Sequence, residues 1–144
     1  MQQLKSEKGL TLIEFLAVIV ILGIIAALAV PSIGKIIENN RHKATKSEAI
    51  IMLEAAQLYF IENPENYGKE HQTIILPNLI KMGYMEGRGY LNGSAYVTNV
   101  TPAKICANSE GKSKVTFYNA TAEQIVNSKQ DVKVGNEKCG DLTP

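Results

Sequence analysis

The chain has 144 residues, 15 lysines and arginines against 14 aspartates and glutamates, and a formal net charge of +1. A chain so short excludes two sizeable domains. Its near-neutrality excludes a protein that holds nucleic acid through a global positive field, so any such contact would need a local basic patch.

Residues 1–8 form a charged leader. Gly9 follows, then Leu10-Thr11-Leu12-Ile13-Glu14, then an apolar run that ends at residue 30. Residues 10–30 are long enough to cross hydrocarbon, which takes about 20 residues in a helix. A carboxylate there costs at least ~2.5 kcal/mol and tends to mark function, so Glu14 must be neutralised or find a cation within reach. A secretory signal would place small residues at a cut beyond the apolar core, and Ala26, Ala27 and Ala29 could supply them. That reading leaves unexplained both Glu14 and a Gly-Leu junction placed before the core. A plain anchor fits the length and leaves Glu14 idle. Lys5 and Lys8 precede the run and no basic cluster follows immediately after Val30, so the positive-inside rule puts the leader in the cytoplasm and the remainder outside.

The run Lys8-Gly9-Leu10-Thr11-Leu12-Ile13-Glu14 resembles the leader junction of type IV prepilins and type II secretion pseudopilins. The resemblance implies that a membrane prepilin peptidase cuts after Gly9 and methylates the new amino terminus, Leu10. Glu14 matches the acidic residue five places into the mature chain, where it would face the amine of a neighbouring subunit during filament assembly. Leu10 departs from the phenylalanine most common at that position and keeps its apolar character. Three segments follow: a leader at 1–9, a membrane-spanning and filament-core helix at 10–30, and an extracytoplasmic globular domain at 31–144. The implied fold is an α+β ladle, in which the apolar half of a long helix protrudes and its amphipathic half packs on a small antiparallel sheet. The implied partners are further copies of the chain, the peptidase, the pilus or secretion assembly machinery, and the membrane before assembly. The implied location is the cytoplasmic membrane as a single-pass precursor, then the cell surface.

Beyond Pro31, apolar residues recur at three- and four-residue spacings through Ile33, Ile36, Ile37, Ala44, Ile51, Ala55 and Leu58 to Ile61. This predicts one helix that Asn63-Pro64 stops, because proline disfavours helical geometry before it and donates no backbone hydrogen bond. About 50 residues at ~1.5 Å each give a helix near 75 Å long, more than a domain of this size needs. Before Pro31 the helix is apolar all round, and after it an apolar stripe alternates with polar residues. Gly23 and Pro31 are its weak points, costing about 1 and 3 kcal/mol relative to alanine. The resemblance implies that they bracket a stretch able to unwind in a filament, although a proline in a membrane helix can also be a mere kink. Arg41, His42, Lys43 and Lys46, flanked by Glu38 and Glu48, are the one candidate nucleic-acid patch. A helix spreads them over more than one face, and mixed charge of this kind predicts a solvated surface; nucleic acid is not a predicted partner.

After the helix, Pro77 and Gly83 bracket a short helical segment. β-branched and aromatic residues at 95–100, 104–107 and 115–118, separated by turn signals, predict three short antiparallel strands. Cys106 and Cys139 are an isolated pair without metal-knuckle or redox spacing, and in an exported domain a disulfide is expected between them, with two buried free thiols the alternative. The bridge would stabilise the fold by roughly 3 to 4 kcal/mol and pin a polar tail, which has weak strand content at Val132 and Val134, to the sheet.

No catalytic arrangement stands out. His42 and His71 are expected at the surface, since a general base needs a partner within hydrogen-bond reach. No phosphate loop, metal motif or cofactor site is present in the sequence. Asp131, Glu137 and Asp141 do not follow a calcium-ligand pattern and read as a solvated acidic loop. The three Asn-x-Ser/Thr sequons, at Asn92, Asn99 and Asn119, are expected by chance. The expected function is a structural one, a type IV pilin subunit for adhesion, twitching motility or DNA uptake, with a pseudopilin of a secretion or competence system as the alternative.

Overall fold

The computed structural model describes residues 7–63 and 72–140, with side chains from Thr11 onward. Helix α1 runs Glu7–Glu62 and contains Pro31. The chain divides into two units, residues 1–38 and residues 39–144, and α1 enters both.

Within the first unit every described residue is helical. Its large apolar side chains from residue 12 to residue 37 are each 45% to 70% exposed. Pro31 has no N–H to offer the carbonyl one turn back, and Ser32 Oγ donates to the next carbonyl along, Leu28 O, at 3.2 Å.

In the second unit α1 becomes a core helix. Thr45, Glu48, Ala49, Met52, Leu53, Ala56 and Phe60 are buried, following the three- and four-residue spacing of one face. The helix ends where Asn63 donates both its backbone N–H and its side-chain amide to Tyr59 O, at 3.1 and 2.9 Å, satisfying a carbonyl that the last turn orphans. Pro64, the expected stop, lies outside the described residues, as does His71.

The sheet against this face has five strands in the order β1-β2-β3-β4-β5. These are β1 (Thr73–Ile75), β2 (Tyr96–Thr98), β3 (Lys104–Asn108), β4 (Thr116–Ala120) and β5 (Lys133–Val134). Ile74, Val97, Ile105 and Ala120 pair in line across the first four strands, and all are buried. Helix α2 (Leu76–Lys81), with Pro77 in its first turn, packs Leu76 and Leu79 inward.

The α+β arrangement of a long amino-terminal helix on a small sheet is the one the sequence predicts. The sheet itself differs from the predicted one, since it has five strands and β5 joins β4 in parallel. Strands of three and two residues leave too little alternation to read. A parallel neighbour also needs a crossover, supplied by α3 (Ala122–Asn127). Thr121 caps α3, with Thr121 Oγ1 accepting from Gln124 N and Thr121 N donating to Gln124 Oε1. That Thr-x-x-Gln pair is a capping box, and its threonine also closes the Asn119 sequon. Gly135 ends β5 at φ +91°, where a Cβ would lie 2.1 Å from Tyr118 O.

Candidate functional site

The chemistry at the start of α1 is one carboxylate in an apolar surface. Glu14 is exposed and lies between Ile13 and Phe15, which are 63% and 66% exposed. The backbone at Gly9 and Leu10 is already helical, so Leu10 and Glu14 stand one turn apart on the same face. Gly23 and Pro31 both lie inside continuous helix. A Cβ at Gly23 would meet no atom within 4 Å, so among the described residues no close contact requires glycine there.

The second half of α1 is fastened by polar side chains that the sequence suggested were solvated. Glu48 is fully buried. Its two carboxylate oxygens accept from Arg88 N at 2.6 Å, Tyr90 N at 2.8 Å and Leu91 N at 2.9 Å. A buried carboxylate is costly unless paired or hydrogen-bonded, and three backbone donors from one segment meet that need. The signal was present in the sequence, because Glu48 shares the helical face of Thr45, Ala49 and Met52.

His42, Thr45 and Lys46 are buried as well, which corrects the expected solvated surface, while Arg41 and Lys43 remain exposed. Thr45 Oγ1 donates to Arg41 O and lies 3.0 Å from Ser113 Oγ. Lys46 Nζ donates to Lys129 O at 2.9 Å. Burial pushes the Lys46 ammonium below its ordinary pKa, and the nearby Asp131 charge partly restores it. His42 is buried, not at the surface, and among the described residues its Nε2 has no hydrogen-bond partner. At the far end of α1, Tyr84 OH donates to Glu62 Oε2 at 2.8 Å, and the Tyr84 ring meets Tyr59 edge-on.

Cys106 and Cys139 form a disulfide. Around it, Asn119 Nδ2 donates to Lys138 O and Tyr96 OH donates to Gly140 O, so the tail is tied to β2 and β4 as well as to β3. Glu137 pairs with Lys104 at 2.7 Å. Asp141, the third residue of the acidic loop, lies outside the described residues.

Residues 4–30 match the prokaryotic N-terminal methylation motif, the prepilin-type signature of type IV pilins and pseudopilins. The match takes in Gly9, Leu10, Glu14 and Gly23 and stops one residue short of Pro31. No characterised protein and no solved structure matches the chain. The motif together with the apolar amino-terminal helix fits a membrane-anchored precursor processed by prepilin peptidase.

Proposed function

We propose that the chain is a type IV pilin subunit, cut after Gly9, methylated at Leu10, held in the membrane by residues 10–30 and polymerised through that helix into a filament. The observation that carries this reading is the pairing of the prepilin signature with an apolar helix whose side chains the subunit's own fold leaves exposed.

The energetics restrict where the helix can go. About a dozen large aliphatic side chains, each worth roughly 1.5 to 3 kcal/mol when buried, make transfer from bilayer to water cost on the order of 20 kcal/mol or more. Extraction is therefore feasible only into another apolar environment, and a bundle of identical helices provides one. Glu14 sets the register in that bundle. Cleavage creates a cationic amine at Leu10 and opens the positive end of the helix dipole. A neighbour's Glu14 attracts that amine when aligned, and is left as an uncompensated buried charge when slipped, at about 3 to 5 kcal/mol. Gly23 and Pro31 lower the cost of local unwinding between them as the helices pack.

Intact mass and amino-terminal sequencing of material sheared from the native host's surface, set against the membrane fraction, test the proposal. An abundant disulfide-bonded species beginning at methylated Leu10 in the sheared fraction is the expected result. Processed protein that stays scarce and membrane-bound would favour the pseudopilin reading instead. A chain that still begins at Met1, or is cut beyond residue 30, would overturn prepilin processing itself.

A further inference from the structure

Three separated stretches of the second unit bring cations to the end at which α1 enters it. Arg41 and Lys43 are exposed on the first turns of α1 there. The hydrogen bond from Lys46 Nζ to Lys129 O brings exposed Lys129 to the same end. The contact of Thr45 with Ser113 brings in the exposed residues on either side of that serine, Lys112 and Lys114. Three carboxylates belong to the same neighbourhood: Asp131, which acts on Lys46, Glu110 in the loop that carries Ser113, and Glu38 one turn before Arg41. Glu48 is enclosed by its three backbone donors. Five exposed basic residues therefore face three accessible acids, in a chain whose overall charge is only +1.

An apolar component accompanies the charge. Lys43, Lys46, Ile50, Ile51, Val126 and Lys129 line a groove of about 310 Å³, and Val126 is 67% exposed. Cations around exposed aliphatic side chains make a surface suited to the boundary between lipid headgroups and acyl chains.

We propose that this basic rim docks the globular unit on the anionic phospholipid headgroups of the membrane that α1 enters. The proposal rests on the membrane-anchored reading and adds a second contact to it. Arg41 lies eleven residues beyond Val30, where the membrane-spanning stretch ends, about 16 Å along the helix, of which the headgroup layer takes roughly 5 to 8 Å. The covalent chain thus keeps the rim near the interface, within reach of an attraction that fades over one Debye length. Carried on the outer side, these cations oppose the positive-inside bias of Lys5 and Lys8, and a use at the outer surface accounts for their presence.

Lysine footprinting of the full chain tests the rim. The chain is reconstituted in phosphatidylcholine vesicles with and without phosphatidylglycerol, treated with a water-soluble amine-acylating reagent, and read lysine by lysine by mass spectrometry. Lys43, Lys112, Lys114 and Lys129 are expected to label several-fold less in the anionic vesicles, while Lys81 in α2 and Lys138 beside Cys139 label equally in both. The protection should vanish near 1 M salt, where the Debye length falls to about 3 Å. Equal labelling in a chain that floats with both vesicle types overturns the rim and leaves the anchor standing. A chain that floats with neither overturns both. Stronger protection of the four lysines by added duplex DNA than by anionic lipid would assign the surface to nucleic acid and overturn the lipid proposal.

Discussion

Residues 11–38 and residues 39–62 of α1 are continuous helix, yet they meet water in opposite ways. The first stretch exposes Leu28 and Val30 at 70%, while the second buries a lysine, a histidine and a glutamate. Apolar side chains without cover and charged side chains under cover are both unfavourable in an isolated subunit. The second stretch resolves its conflict internally for Glu48 and Lys46, which have backbone partners, and leaves only His42 Nε2 without one among the described residues. The first has no cover among the described residues of its own unit, and on the proposed reading lipid or neighbouring subunits supply it. On that reading one helix carries a folding problem solved within the subunit and an assembly problem solved outside it.

The largest contrast should come from Glu14→Ala. It removes an exposed charge, so urea unfolding of the variant in detergent should match the parent while filament yield collapses. Normal filament yield would break the comparison at its first half. Glu48→Leu should do the reverse. It orphans one buried N–H, that of Leu91, and two part-buried ones, those of Arg88 and Tyr90; a buried orphan alone costs about 1 to 3 kcal/mol, so unfolding free energy should fall by at least ~1 kcal/mol. Glu48→Gln, which keeps one acceptor oxygen, should fall between. An unfolding midpoint unchanged in Glu48→Leu would mean that the segment bearing Arg88, Tyr90 and Leu91 is held by its apolar neighbours instead.

The first half of α1 was legible because its signals are local: a Gly-Leu junction, a lone carboxylate and a run of apolar residues need no partner to be read. The second half was legible as a helix but not as a set of contacts. Glu48 and Lys46 read as solvated because charge on a helix usually is, and only the fold supplies the backbone groups that bury them. For β1 and β5, stability comes from register with β2 and β4, which three and two residues cannot announce. The capping box at Thr121 was readable from four residues, yet it was obscured by the sequon that shares its threonine.

The smallest expected effect lies where α1 ends, and it sharpens the claim that its second half is fastened by specific polar contacts. The hydrogen bond to the Glu62 carboxylate is the main reason that Tyr84 holds its proton above the ordinary value of 10.0. A folded pKa above the unfolded one means that this contact stabilises fully below pH 10.0, and that the stabilisation is lost as pH rises through the folded value. Lys46 works with the opposite sign, because its burial penalises the charged form and that penalty is relieved as pH climbs toward 10.5. The Tyr84 loss begins above 10.0 and the Lys46 relief is complete by 10.5, so the opposed trends overlap between those values and a bulk stability curve would blur them. The phenolate absorbance of Tyr84, isolated by subtracting a Tyr84→Phe titration, separates them. In Glu62→Gln that titration should move down toward 10.0, because a neutral amide no longer rewards the protonated phenol. A titration that stays in place would locate the cause in the Tyr59 contact or in burial, and the end of α1 would then be held by packing and the Asn63 hydrogen bonds without help from Glu62.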